Sequence, residues 1–231
     1  MRSWSSLDGK GAPGSHHRPQ GWPPVRVRTR RLGSGYVTRM AHDALLLIDL
    51  QYDWFSDAEL DRCREDLVAT CNRLVVAAHR SGVPVLEVRT VHEPDRSTWT
   101  LTMLEDDQGV SVRGTPGAER VAGLEPGPAT VVEKTRDSVF FGTTLEQDLR
   151  AQDVRRVVLC GVSTESCIAA SARDAFARDL AVVLVSDATA SVSWEEHDHT
   201  LAMLHDQHRQ EVLTADEVVA RWADATQGPG R

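Results

Sequence analysis

The run Val157-Val158-Leu159-Cys160-Gly161-Val162-Ser163-Thr164-Glu165-Ser166-Cys167-Ile168-Ala169-Ala170-Ser171-Ala172 constrains this chain more than any other stretch. Its apolar, Val-rich beginning has the pattern of a strand covered on both faces. The polar Ser163-Thr164-Glu165-Ser166 then reads as a turn, and the small residues that follow predict a helix over 166–178. Ser163 or Thr164 is placed to cap that helix by accepting a bond from its orphan N–H groups. Cys167 would lie in the first turn, where the helix dipole favours a thiolate. Read alone, however, Cys167 is first of all a small buried residue at a helix–sheet contact. The rest of the chain has to raise it above that.

The remainder alternates short apolar runs with helical patterns. Strands are expected at 44–48, 84–90, 130–133, 154–161, 181–186 and 210–213. Helices are expected at 57–81, 143–151, 166–178, 195–206 and 215–225, with a short one near 117–123 inside an irregular stretch, 91–129. Ile168, Ala172, Ala175 and Phe176 would share the buried face of the helix at 166–178. Strands alternating with helices build βαβ units, hence an α/β fold with three layers: a six-stranded, mainly parallel, doubly wound sheet between two helical layers. Ligands bind such sheets beyond the carboxyl ends of the strands. The 231 residues, 41% apolar, suffice for one such domain.

Charge is unevenly spread. Residues 1–39 carry eight basic residues and one acid, leaving 18 basic and 33 acidic residues beyond them. This Gly-, Pro-, Ser- and Arg-rich leader has little to bury and is expected to be disordered, and dispensable or even foreign to the natural protein. The domain is expected at 40–225, with a frayed tail at 226–231. An acidic balance argues against nucleic acid or an anionic membrane as partner. No apolar run reaches the length of a membrane span. Four irregularly spaced cysteines make neither a disulfide framework nor a CxxC metal site, which points to a reducing cytoplasm. No GxGxxG follows the first strand and no GxxxxGK[ST] occurs, so no nucleotide cofactor is expected.

Two polar residues join Cys167 at strand ends. Asp49 follows Leu45-Leu46-Leu47-Ile48 into a partly desolvated place, where a carboxylate needs a partner. Lys134 ends the third strand and is the domain's sole lysine, Lys10 being the other in the chain; elsewhere beyond Met40 the sequence uses arginine, 17 times. A compact ammonium is not replaceable by guanidinium. Nucleophile, base and electrostatic stabiliser are thus all present.

Three motifs carry a resemblance: Asp49-Leu50-Gln51-Tyr52-Asp53-Trp54; Lys134 followed by Ser138-Val139-Phe140-Phe141-Gly142-Thr143; and Cys160-Gly161-Val162-Ser163-Thr164-Glu165-Ser166-Cys167. In this order they resemble the isochorismatase-like cysteine hydrolases, over residues 43–213. The resemblance implies a catalytic triad of Asp49, Lys134 and Cys167. It also implies a cis peptide between Val162 and Ser163, and an oxyanion hole from the backbone N–H groups of Ser163 and Cys167. The implied activity is cleavage of a C–N bond in a small amide or ureide through a thioester. Vinyl ether hydrolysis, as in true isochorismatases, is the alternative; a catalytically inactive binding protein and a redox thiol protein using Cys160 and Cys167 rank below it. The histidines that give nicotinamidases a metal site are missing after the first strand, so no metal is expected. Trp54, His92, Trp99, Phe140 and Phe141 are candidate pocket walls, and Arg96 or Arg136 could read a substrate carboxylate. His197, His199, His205 and His208 read as surface residues. The family often forms dimers, so a homo-oligomer is expected.

One tension attends this assignment. In the strand order 3-2-1-4-5-6 that the resemblance suggests, Lys134 stands two strands from Asp49, roughly 10 Å away.

Overall fold

The computed structural model describes residues 42–227; the basic leader and the end of the tail lie outside the described residues. Six strands form one sheet: β1 (His42–Ile48), β2 (Val85–Thr90), β3 (Thr130–Lys134), β4 (Val154–Val162), β5 (Ala181–Ala190) and β6 (Glu211–Leu213). Their order is β3-β2-β1-β4-β5-β6 and every pairing is parallel. The sheet is therefore wholly parallel, where a mainly parallel one was expected.

Helices cover both faces, as the apolar strands require. Along β1, Leu45 and Leu47 pack into a core beneath α1 (Ala58–Arg80) and α6 (Ala215–Gln227). Ala44, Leu46 and Ile48 pack on the other face with α3 (Leu145–Ala151), α4 (Ala169–Phe176) and α5 (Trp194–His208). Alternate residues of one strand thus enter two separate cores, which is why the run is continuously apolar. At Gly161 the backbones of β4 and β1 approach so closely that a Cβ would collide with the Ile48 carbonyl, and its φ is 118°. Only glycine satisfies both conditions.

Several local expectations change. The helix expected over 166–178 begins instead as a single π-turn, Thr164–Ile168, and only then continues as α4. Neither Ser163 nor Thr164 caps it with a side chain. Phe176, expected on the buried face, is 49% exposed: it ends α4 and leans on His208, ring centroids 4.6 Å apart. The irregular 91–129 stretch holds α2 (Leu101–Glu105), whose start is capped by Thr100, while the turn near 117–123 is only a 3-10 turn at Pro116–Ala118. β5 runs four residues past its expected end, across a register shift opposite β4.

Candidate active site

The strand order reverses between β1 and β4, so a crevice at this switch point is flanked by the ends of these two strands. Asp49 leaves β1 with φ 55°, a left-handed conformation that aspartate tolerates better than most residues. Cys167 follows β4 in the π-turn, and the intervening Val162–Ser163 peptide is cis. Asp49, Lys134 and Cys167 are all buried, none more than 5% exposed.

They meet. Lys134 Nζ lies 2.7 Å from Asp49 Oδ2 and 3.4 Å from Cys167 Sγ. The two-strand gap is closed by β2, which stands between β3 and β1 and presents Thr90 at its end. Lys134 Nζ donates to the Thr90 hydroxyl at 2.7 Å, and that hydroxyl donates to Asp49 Oδ1 at 2.9 Å. Asp49 Oδ1 also accepts from the Thr90 backbone N–H at 2.9 Å. The lysine stem thus crosses over a small β-branched residue that is itself bonded to both charges. Thr90→Val keeps the shape but leaves Asp49 and Lys134 each one partner short. The variant should unfold about 1–3 kcal/mol more easily in urea and turn over more slowly; unchanged stability would remove Thr90 from this network.

The electrostatics separate the three groups. Burial pushes Lys134 toward neutrality, but the charges and bonds of Asp49 and Cys167 outweigh it and hold the ammonium above its ordinary pKa. Burial, and next the Asp49 charge, push the Cys167 thiol well up, with Lys134 alone among the leading influences pulling it down. The resting site is an Asp49–Lys134 ion pair beside a neutral thiol. A thiolate favoured by the helix dipole, as the sequence suggested, gives way because the cysteine is almost fully desolvated. The thiol and the Asp49 carboxylate share the Lys134 ammonium, and Asp49 bears electrostatically on the thiol and can take its proton when an electrophile arrives.

Residues around the triad explain the motifs. Gln51 Nε2 donates to the carbonyls of Thr90 and Ala118, both at 2.8 Å, and its Oε1 accepts from Thr90 N–H. Asp53 accepts from the Ser111 N–H at 2.6 Å. Alternate residues of the Asp-x-Gln-x-Asp motif therefore supply the carboxylate paired with Lys134 and two clamps on neighbouring segments. Ser171, one turn past Cys167, donates to the Cys167 carbonyl at 2.6 Å and accepts from Val139 N–H at 3.1 Å, docking the Ser-Val-Phe-Phe motif on α4. Thr164 is held from α5 by His197, Oγ1 to Nδ1 at 2.8 Å. His197 is 1% exposed, not the surface residue expected. Thr90 escapes the sequence reading, and His197 reads there as exposed, because each acts only through a partner far along the chain.

The expected pocket residues divide. His92 and Trp99 lie in the loop after β2, where His92 Nδ1 donates to the Thr98 carbonyl and Trp99 Nε1 to that of Glu93. Phe140 packs in the second core, in the same cluster as Cys167, beneath the Arg178 guanidinium, and Phe141 is 62% exposed. Trp54 packs at the margin of the first core. Arg96 is paired with Asp107 and stacks on Trp99. Cys160 lies in the first core and all four cysteines are free. Among the described residues no cluster of three metal-ligating side chains occurs, and no helix is long and apolar enough to cross a membrane.

A model of the isochorismatase domain matches residues 43–217. This chain belongs to the isochorismatase family. Among similar proteins of the family is a probable isochorismatase of Pseudomonas chlororaphis, 32% identical over 76% of this chain and 84% of that protein. A probable inactive nicotinamidase of Arabidopsis thaliana is 33% identical over 69% and 86%. The crystal structure of a cysteine hydrolase from Pseudomonas syringae pv. phaseolicola superposes with a TM-score of 0.73, at 26% identity, covering 80% of this chain and 94% of that one. The isochorismatase family also includes amidohydrolases.

Proposed function

We propose that this isochorismatase-family protein is a cysteine hydrolase that cleaves a C–N bond in a small amide or ureide. The observation that carries this reading is the convergence of Asp49, Lys134 and Cys167 from three different strand ends onto one buried point. An Asp–Lys ion pair could be structural by itself; a thiol that accepts from the same ammonium, under the influence of the carboxylate, has the geometry of an activated nucleophile.

In the proposed reaction Asp49 takes the thiol proton as Cys167 Sγ attacks the carbonyl carbon. Lys134 stays protonated, offsetting the negative charge that moves from Asp49 to the carbonyl oxygen. The backbone N–H groups of Ser163 and Cys167 are assigned to hold that oxygen. Asp49 then gives its proton to the leaving nitrogen, the C–N bond breaks, and ammonia or an amine departs from a Cys167 thioester. Water, deprotonated by Asp49, attacks the thioester, and the returning proton restores the thiol. The charge on the triad is the same at the start and the end.

Vinyl ether hydrolysis is the second reading, favoured by the likeness to the Pseudomonas chlororaphis protein. There Asp49, as its acid, would protonate the substrate and Cys167 would form no bond. A panel of small amides and ureides with a vinyl ether beside them, read by product release and by intact mass after acid quenching, separates the two. Amide hydrolysis is expected, with an acyl adduct on Cys167. Release of product from a vinyl ether alone, with no adduct, would replace the first reading by the second.

A further inference from the structure

Six arginines of the described residues are half-buried and paired with a carboxylate: Arg64 with Asp61, Arg89 and Arg120 with Glu87, Arg156 with Asp43, Arg178 with Glu146, and Arg221 with Glu211. Arg136 is the half-buried arginine without one. A partly desolvated guanidinium lacking a counter-ion is costly, and this domain otherwise avoids it. Arg136 stands two residues beyond Lys134, past the end of β3, and both their charges bear on His92. Its neighbour Asp137 is exposed and makes no ion pair with it among the described residues.

The guanidinium is also held in place. Nη1 donates to the Thr98 carbonyl at 2.9 Å and to the Thr135 carbonyl at 2.5 Å, which uses both hydrogens of that nitrogen. Nε and Nη2 have no partner among the described residues. Those two nitrogens form the edge of a guanidinium that grips a carboxylate with two parallel bonds. The Thr98 carbonyl also accepts from His92 Nδ1 at 2.9 Å, so one oxygen ties the loop after β2 to the end of β3. Burial, assisted by the positive charges of Arg136 and Lys134, keeps His92 below its ordinary pKa and so neutral. His92 therefore adds no second cation beside Arg136.

We propose that Arg136 is a specificity-determining residue that binds a carboxylate of the substrate through Nε and Nη2. Resting on the hydrolase reading above, this narrows the substrate class to small amides or ureides that carry a carboxylate near the scissile carbonyl. The ion pair that every other half-buried arginine of the described residues makes with a carboxylate of the chain is completed here by the ligand.

Alkylation of Cys167 tests this without a known substrate. Iodoacetate and iodoacetamide have nearly the same size and differ in charge, and intact mass with peptide mapping reports modification of Cys167. In the wild type, iodoacetate should react faster, relative to iodoacetamide, than it does with a free thiol. Arg136→Gln keeps a donor for the Thr98 carbonyl and removes the charge. It should lower the iodoacetate-to-iodoacetamide rate ratio at least about tenfold while leaving the iodoacetamide rate near wild type. Arg136→Lys should fall between them. An unchanged ratio in Arg136→Gln, with the iodoacetamide rate intact, overturns the proposal. Should Arg136→Gln fail to fold, the Arg136→Lys ratio decides: a value equal to wild type overturns it. Failure of the hydrolase reading looks different: no amide would be turned over by the wild type, whatever the alkylation ratio.

Discussion

Cys167→Ala is expected to stop ammonia release from the best amide substrate, lowering kcat at least about 10⁴-fold. The protein should stay folded. The side chain lost is small, and the neighbouring Ser171–Cys167 contact uses the main-chain carbonyl, which alanine retains. A melting temperature within a few degrees of wild type checks the fold, as expected for about 1 kcal/mol lost on removing one buried sulfur. Asp49 and Lys134 remain paired in the variant, so the loss would belong to the nucleophile and not to a collapsed site. Ammonia release at the wild-type rate would remove Cys167 from the reaction. Vinyl ether turnover surviving the substitution would leave Asp49 as the reacting group. The same variant bears on the resemblance to an Arabidopsis protein described as probably inactive, since an inert binding protein would show no activity to lose.

The second large effect concerns the ion pair, and it separates stability from activity. Lys134→Met leaves Asp49 buried with its charge uncompensated, at a cost of about 3–5 kcal/mol in urea denaturation. Its kcat should fall by about 10² to 10³-fold or more, because the charge moving onto the substrate oxygen loses its nearest cation. Adding Asp49→Asn removes the orphaned charge. The double variant should regain most of the lost stability, because residues in contact do not contribute additively. It should regain no activity, having neither base nor cation. If the double variant proved less stable than Lys134→Met, Thr90 and its neighbours would be holding the two residues as separate polar groups rather than as a pair.

How much of this could be read before folding differs from residue to residue. The apolar composition of β1 and β4 is a property of the chain that no tertiary contact can reverse: with both faces apolar, they had to be covered on both sides. The strand-helix alternation then left a parallel sheet as the means of doing so. Asp49 and Lys134 were legible because each ends an apolar or β-branched run, and the scarcity of lysine singled out the second. Cys167 was legible through its motif, although the turn that carries it was not. A π-turn differs from the first turn of an α-helix by one residue, and the sequence Thr-Glu-Ser-Cys-Ile suits both.

The order of residues along the chain was enough to specify the covered parallel sheet and to set Asp49, Lys134 and Cys167 beyond the ends of its strands. The tertiary structure decided how those ends communicate. Thr90 became the bridge between Lys134 and Asp49 because β2 lies between their strands, and hydrogen bonds across 44 and 41 residues of chain have no local signature. His197 became a buried clamp because α5 packs on the turn holding Thr164. The state of the thiol was also decided there. Helix position alone favours an anion, whereas near-complete burial beside Asp49 favours the neutral form, and desolvation is the larger influence. Pairing, burial and charge balance are sums over neighbours, and the fold chooses the neighbours.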